Sequence, residues 1–210
     1  MSIVQIVFSP TGGTQKVADI ITEKWGESVR KIDLSDPKTD FTSVSLDKED
    51  IALIAVPSFG GRVPGPAVER LEKIHGNQAL CTVVCVYGNR AYEDTLLELR
   101  DAAEKSGFSV IAGISAVAEH SIMHQYASGR PDEQDKSQLR NFAEKIKEKI
   151  SRGASQLSSP EIPGNRPYKK AGGAGLIPKA DHKCVQCGIC AEHCPTQAID
   201  KENPKVTDKA

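Results

Sequence analysis

Four cysteines stand near the C-terminus at Cys184, Cys187, Cys190 and Cys194, the last followed directly by Pro195. Three thiolates spaced three apart on a tightly wound loop can each bond a different iron of one cubane, while a fourth that is carried off by a proline points away, toward a second cluster. The run therefore predicts iron–sulfur chemistry. Zinc is the main competitor, but structural zinc sites use two separated Cys-x-x-Cys knuckles rather than one continuous run. No second cysteine run follows before Ala210. A 4Fe-4S cluster is thus expected at most once in this chain, and twice if a second run were present. The missing ligand is expected to lie beyond a truncated end; the alternatives are that Cys194 bends back, or that water, Asp or His completes the site. His182 and His193 flank the run and are expected to be solvated. The other two thiols, Cys81 and Cys85, lie in an apolar stretch, and on a strand they would stand about 13 Å apart, too far for a disulfide. They are expected to be small core residues.

A second chemistry-bearing stretch is Ser9-Pro10-Thr11-Gly12-Gly13-Thr14. Ser9, Thr11 and Thr14 supply hydroxyls, and Gly12 and Gly13 let the backbone close on an anion at the start of a helix. The stretch lacks the Gly-Lys-Ser/Thr ending of a nucleoside-triphosphate loop and does not fit Gly-x-Gly-x-x-Gly. With hydroxyls and a helix dipole but no cation, it suits a terminal monophosphate. The plainer alternative is a tight turn with a helix cap. Two further loops favour a ligand. Pro57, Ser58, Phe59, Gly60 and Gly61 present an aromatic ring that flanking glycines leave room to lie flat. Tyr87, Gly88, Asn89, Arg90 and Tyr92 offer a second aromatic wall and an amide able to bond a pyrimidine-like edge.

These loops need a scaffold. Apolar runs at Ile3–Phe8, Ser28–Leu34, Ile51–Val56, Leu80–Tyr87 and Val110–Ala118 read as five strands. Between them, helical spacing links Val17, Ile20, Ile21 and Trp25; then Val68, Leu71 and Ile74 after Pro66; then Leu96, Leu99 and Ala103 before Gly107. A last amphipathic helix carries Leu139, Phe142, Ala143, Ile146 and Ile150 and stops near Gly153. The polar stretch up to Asp50 reads as either a short helix or an irregular crossover. Continuous apolar strands alternating with helices imply an α/β doubly wound parallel sheet, with five strands in the order 2-1-3-4-5. Ligands then bind at the carboxyl ends of the strands, where the three loops lie. Residues 154–180 are rich in Ser, Pro, Gly and Lys and read as an extended linker between a domain at 1–153 and the cysteine segment at 181–210.

With its Phe-Gly-Gly-Arg-Val-Pro and Tyr-Gly-Asn-Arg-Ala-Tyr-Glu-Asp stretches, the chain resembles the flavodoxin family. The C-terminal run, with Gly188, Ala198 and Ile199, resembles bacterial ferredoxins, and together they look like the flavodoxin–ferredoxin fusion branch. That resemblance covers nearly the whole chain. It implies FMN, with Ser9–Thr14 on the phosphate, Pro57–Gly61 on one side of the isoalloxazine, and Tyr87–Arg90 with Tyr92 on the other. Phe59 departs from the Tyr often found there, which keeps stacking but loses a phenolic hydrogen bond.

The net charge of −1, from 27 basic and 28 acidic residues, creates no global field toward nucleic acid or an anionic membrane. The N-terminus MSIVQIVF lacks a signal-peptide pattern, and no apolar run approaches the roughly twenty residues of a membrane span. A cytoplasmic protein is expected. Its expected partners are redox proteins, with a homodimer allowed. The expected role is electron transfer between an iron–sulfur cluster and FMN, without side-chain catalysis. Two alternatives are an FMN-dependent reductase of a small molecule, with His120 or His124 lining its pocket, and a zinc-stapled interaction module. Arg62 and Arg90, beside the flavin loops, are candidates to stabilise a reduced flavin or to meet a docking partner.

Overall fold

Along β1 (Ile3–Val7), successive side chains leave opposite faces of the sheet, and both faces are buried: Val4 and Ile6 enter one core, Ile3 and Val7 the other. This two-sided burial is why the strand reads as an unbroken apolar run rather than an alternating one. The computed structural model describes residues 2–153, 157–172 and 177–207. Four further strands, β2 (Val29–Asp33), β3 (Ile51–Pro57), β4 (Leu80–Tyr87) and β5 (Ser109–Val117), pair with parallel register into one sheet of order β2-β1-β3-β4-β5. Strand order and class are those expected from the sequence.

One face of the sheet is covered by α2 (Gly65–Leu71) and α3 (Thr95–Lys105), the other by α1 (Gly13–Thr22) and α4 (Glu133–Ser151). Leu71 and Leu99 meet Ile54, Val83, Cys81 and Cys85 on the first face. Val17, Ile21, Leu139 and Ile146 meet Leu53, Ala55 and Val84 on the second. The two core thiols are fully buried on one side, as expected, and burial pushes both far above their ordinary range. Trp25 lies just beyond α1, where its indole N–H donates to the Ala143 carbonyl at 3.0 Å and ties α1 to α4.

Two features that the sequence left open take definite form, and the linker differs from the sequence expectation. Helix α4 starts well before its first core residue, Leu139, because Asp132 and Asp135 form a reciprocal capping box. The polar stretch before β3 holds a 3₁₀ turn at Phe41–Ser43 in an otherwise irregular crossover, and Phe41, Val44 and Leu46 bury themselves in the core. The linker, expected to be an extended tether, is held to the domain over residues 157–169. Ile162 enters the core beside Leu96, Leu97 and Gly113, and Tyr168 packs against the same cluster. Among the described residues no helix is long and apolar enough to cross a membrane.

Candidate flavin and iron–sulfur sites

The parallel ladder ends level on β1, β3 and β4, so three loops leave the sheet side by side. Phe8 N donates to Ala55 O at 3.0 Å, Ser58 N to Val86 O at 2.8 Å, and Ala118 N to Tyr87 O at 3.0 Å. The first loop runs into the N-terminus of α1, whose leading amides have no partner within the helix. Gly12 sits at the N-cap with φ +83°, a left-handed conformation that costs glycine little. No atom would obstruct a Cβ there, so backbone conformation rather than space demands the glycine. Ser9 Oγ accepts the Gln15 amide at 3.0 Å, while Ser9 N donates to Ser35 Oγ at 2.8 Å. The serine therefore shapes the loop and keeps its hydroxyl proton available. Thr11 is exposed and Thr14 buried.

In the second loop Pro57 and Ser58 are half-buried and Phe59 is 52 % exposed, its ring open to a flat ligand. The loop closes on itself through paired Phe59–Arg62 backbone bonds, with Gly60 at φ +61° and Gly61 at φ +86°. Ser58 Oγ turns inward to Thr95 Oγ1 at 2.7 Å, bracing the loop against α3. In the third loop, Tyr87 and Tyr92 meet edge to face with centroids 5.4 Å apart, and Tyr92 also packs on the core. Asn89 is exposed at φ +65°. Arg90 is exposed and pairs with Glu93 at 3.1 Å. Gly88 is pressed by His120: a Cβ there would lie 2.6 Å from the ring. His120 Nδ1 accepts the amides of Ile122 and Met123 at 3.2 and 3.1 Å, which leaves its proton on Nε2. His124, in contrast, pairs outward with Glu119 at 2.7 Å. The residues expected from all three loops thus gather at one edge of the sheet, and the chemistry of that edge, helix-start amides and loop hydroxyls beside the exposed Phe59 ring and the half-buried Tyr87, fits FMN.

Arg62 is engaged elsewhere. Its guanidinium forms a bidentate pair with Glu98 at 2.7 Å twice, and it donates to Lys169 O at 2.6 Å. Sequence reasoning missed Asp94, which joins the second loop, the third loop and the linker. In the chain it looks like an ordinary cap before a helix.

In the C-terminal segment, Gly188 at φ +76° starts a short helix, α5 (Ile189–Glu192), that carries Cys190. Among the described residues no three Cys, His, Asp or Glu side chains converge as a metal ion requires. The donor chemistry fits a cluster nonetheless. Partial burial pushes the Cys194 thiol up, but hydrogen bonds from the Thr196 hydroxyl and from the amides of Thr196, Ala198 and Ile199 together bring it below its ordinary value. Such donors stabilise a ligating sulfur. The segment touches the sheet domain where Arg70, which donates to Leu34 O at 2.6 Å, also reaches Pro195 O at 2.5 Å.

Residues 181–200 match the 4Fe-4S binding domain family. Over 22 residues the chain is 73 % identical to the trichloroethene reductive dehalogenase of Dehalococcoides mccartyi, a stretch covering 10 % of this chain and 4 % of that protein. Among solved structures, a flavodoxin from the domain Archaea is similar with TM-score 0.51 and 14 % identity, covering 72 % of this chain and 99 % of that one. A flavone reductase is similar with TM-score 0.54 and 12 % identity, covering 76 % and 66 %. An NADH:FMN oxidoreductase is similar with TM-score 0.50 and 17 % identity, covering 75 % and 94 %. At these identities the likeness speaks for the fold. The chain is a flavodoxin-like α/β domain followed by a ferredoxin-type 4Fe-4S binding segment.

Proposed function

We propose that this protein is an electron carrier that passes electrons between a 4Fe-4S cluster and FMN. The observation that carries the proposal is the meeting of two features in one chain: a match to a 4Fe-4S binding domain at 181–200, and three loops of the expected FMN type side by side at the carboxyl edge of a flavodoxin-like sheet. When bound, the two cofactors supply the redox chemistry. The chain's own residues bind and orient. The Gly13 and Thr14 amides and the hydroxyls of Ser9, Thr11 and Thr14 would hold the phosphate at the start of α1. Phe59 and Tyr87 would flank the ring system, with Tyr92 bracing Tyr87, and the Asn89 amide would meet its polar edge. Cys184, Cys187, Cys190 and Cys194 would carry the cluster. The partners are redox proteins, and the site of action is the cytoplasm, where thiols stay reduced.

The test is anaerobic purification followed by visible and EPR spectra with iron, sulfide and flavin counts. Both cofactors are expected; flavin without iron would leave the FMN site standing and remove the carrier mechanism, and a colourless zinc protein would remove both. Replacing Thr11 and Thr14 together by Val should release FMN while the far-UV spectrum stays unchanged, and undiminished binding would mean the phosphate is held elsewhere. A second reading, an FMN-dependent reductase fed by the cluster, is favoured by one observation: the His120 ring, with its proton on Nε2, lies against Gly88 at the same edge. Under that reading, His120→Gln would slow turnover of a small-molecule acceptor without changing flavin content.

A further inference from the structure

Asp94 occupies the N-cap position of α3, where a carboxylate ordinarily accepts amides of its own helix, yet it makes no such bond. Its oxygens instead take three N–H donors from the linker: Asn165 N at 2.8 Å, Asn165 Nδ2 at 3.0 Å and Lys169 N at 2.6 Å. Its own amide donates to Gly61 O at 3.1 Å, in the loop after β3. The neighbouring Glu93 fills the space over Gly61, where a Cβ would lie 1.8 Å from Glu93 Oε2, and that same oxygen receives Lys169 Nζ at 2.5 Å. Arg62 reaches Lys169 O, and its guanidinium lies 5.1 Å from the centre of the Tyr168 ring. Further along, Gly172 O stands 2.9 Å from where a Gly60 Cβ would be. A carboxylate that is 1 % exposed thus leaves its own helix uncapped to hold a linker against both aromatic loops of the candidate flavin site. Covering the apolar patch under Ile162 does not itself require polar bonds between the linker and these loops.

We propose that Asp94 is a positioning residue: it links seating of the 161–169 strap to the conformation of the two aromatic loops, so that FMN binds at full affinity only when the strap is seated. This rests on the FMN reading above. The strap also sets where the iron–sulfur segment is delivered. From Lys169 to Asp181 the chain spans at most ~40 Å, against ~95 Å from Gly153, so anchoring cuts the reach of the segment to less than half. Linkage makes the coupling reciprocal: a strap that favours FMN must itself be held more tightly once FMN is bound.

The experiment uses the full chain at neutral pH. FMN affinity is titrated by flavin fluorescence for wild type, Asp94→Asn, Ile162→Ser and the conservative Ile162→Val, with far-UV spectra confirming the fold. Amide exchange of residues 161–169 is followed with and without FMN. Expected are roughly tenfold weaker FMN binding in Asp94→Asn and Ile162→Ser, near wild-type affinity in Ile162→Val, and roughly tenfold slower strap exchange in FMN-loaded wild type. Wild-type affinity in the folded variants, or strap exchange indifferent to FMN, would overturn the strap coupling and leave the flavin site intact. Failure of wild type to bind FMN would overturn both readings. The exchange measurement needs no variant and stays decisive if a substitution prevents folding.

Discussion

Arg62 sits in the sequence beside an aromatic, glycine-flanked loop, the position of a side chain that would meet an anionic ligand. In the fold it is committed inward. Glu98, itself 9 % exposed, takes the guanidinium with both oxygens and the Val63 amide at 2.9 Å. Glu98 belongs to α3, 36 residues away, and nothing local in the chain announces the pairing. Removing the cation alone would strand a buried carboxylate. Arg62→Met is therefore expected to lower unfolding stability by about 3 kcal/mol, read from urea denaturation. Ser58 teaches the same lesson on a smaller scale, since its hydroxyl serves Thr95 rather than open solvent. The glycines were more legible. Gly12, Gly60 and Gly61 all adopt positive φ, which any residue type other than glycine enters at a cost, so their presence in the chain already marked the turns.

At the scale of elements, the linker was the least readable part, because Ser, Pro, Gly and Lys are compatible with both a free tether and a strap without regular hydrogen bonding. Among the described linker residues Ile162 is the one buried apolar side chain, packed at Gly113 of β5 beside Leu96 of α3, while Leu97 of α3 presses on Gly164. Acidic groups hold the rest. Asp94 lies below its ordinary value of 3.8 because the Lys169 and Asn165 amides donate to it, with the Arg62 charge adding. At Asp101 burial acts upward, but hydrogen bonds from Tyr168, Arg166 and Arg100 outweigh it and the carboxyl again lies below 3.8. A carboxyl depressed in the folded state stabilises it above the unfolded pKa, and that stabilisation is lost as pH falls through the folded value. The strap is thus expected to stay seated from neutral pH down to about pH 4 and to come loose in stronger acid, ahead of the sheet core. Amide exchange or limited proteolysis of residues 157–169 across that range measures it, and a strap released already at pH 6 would contradict the assignment. The Arg100, Arg166 and Tyr168 side chains meet Asp101, the Asn165 side chain and the Arg62 charge face Asp94, and no histidine is among those partners.

For the whole molecule, the two parts owe their order to different forces. The sheet domain has two apolar cores. In the C-terminal segment Val185 is 82 % and Ile189 60 % exposed, so burial contributes little there and metal–thiolate bonds must supply the order. Replacing Cys187 and Cys190 together by Ser is therefore expected to abolish bound iron while the thermal midpoint of the sheet domain stays within about 2 °C and FMN affinity within about twofold, measured by iron analysis, calorimetry and flavin titration. A collapse of the sheet domain would mean that the Arg70–Pro195 contact carries far more stability than one surface hydrogen bond normally does. The sheet order, the three loops at its carboxyl edge and the cysteine run were legible in the amino-acid chain, because apolar periodicity, glycine at turns and ligand spacing are local signals. Which polar groups face those loops was not, because Arg62 with Glu98, Asp94 with Asn165 and Lys169, and His120 with Gly88 are pairs made between distant segments, and only the folded backbone brings their partners within hydrogen-bonding or contact distance.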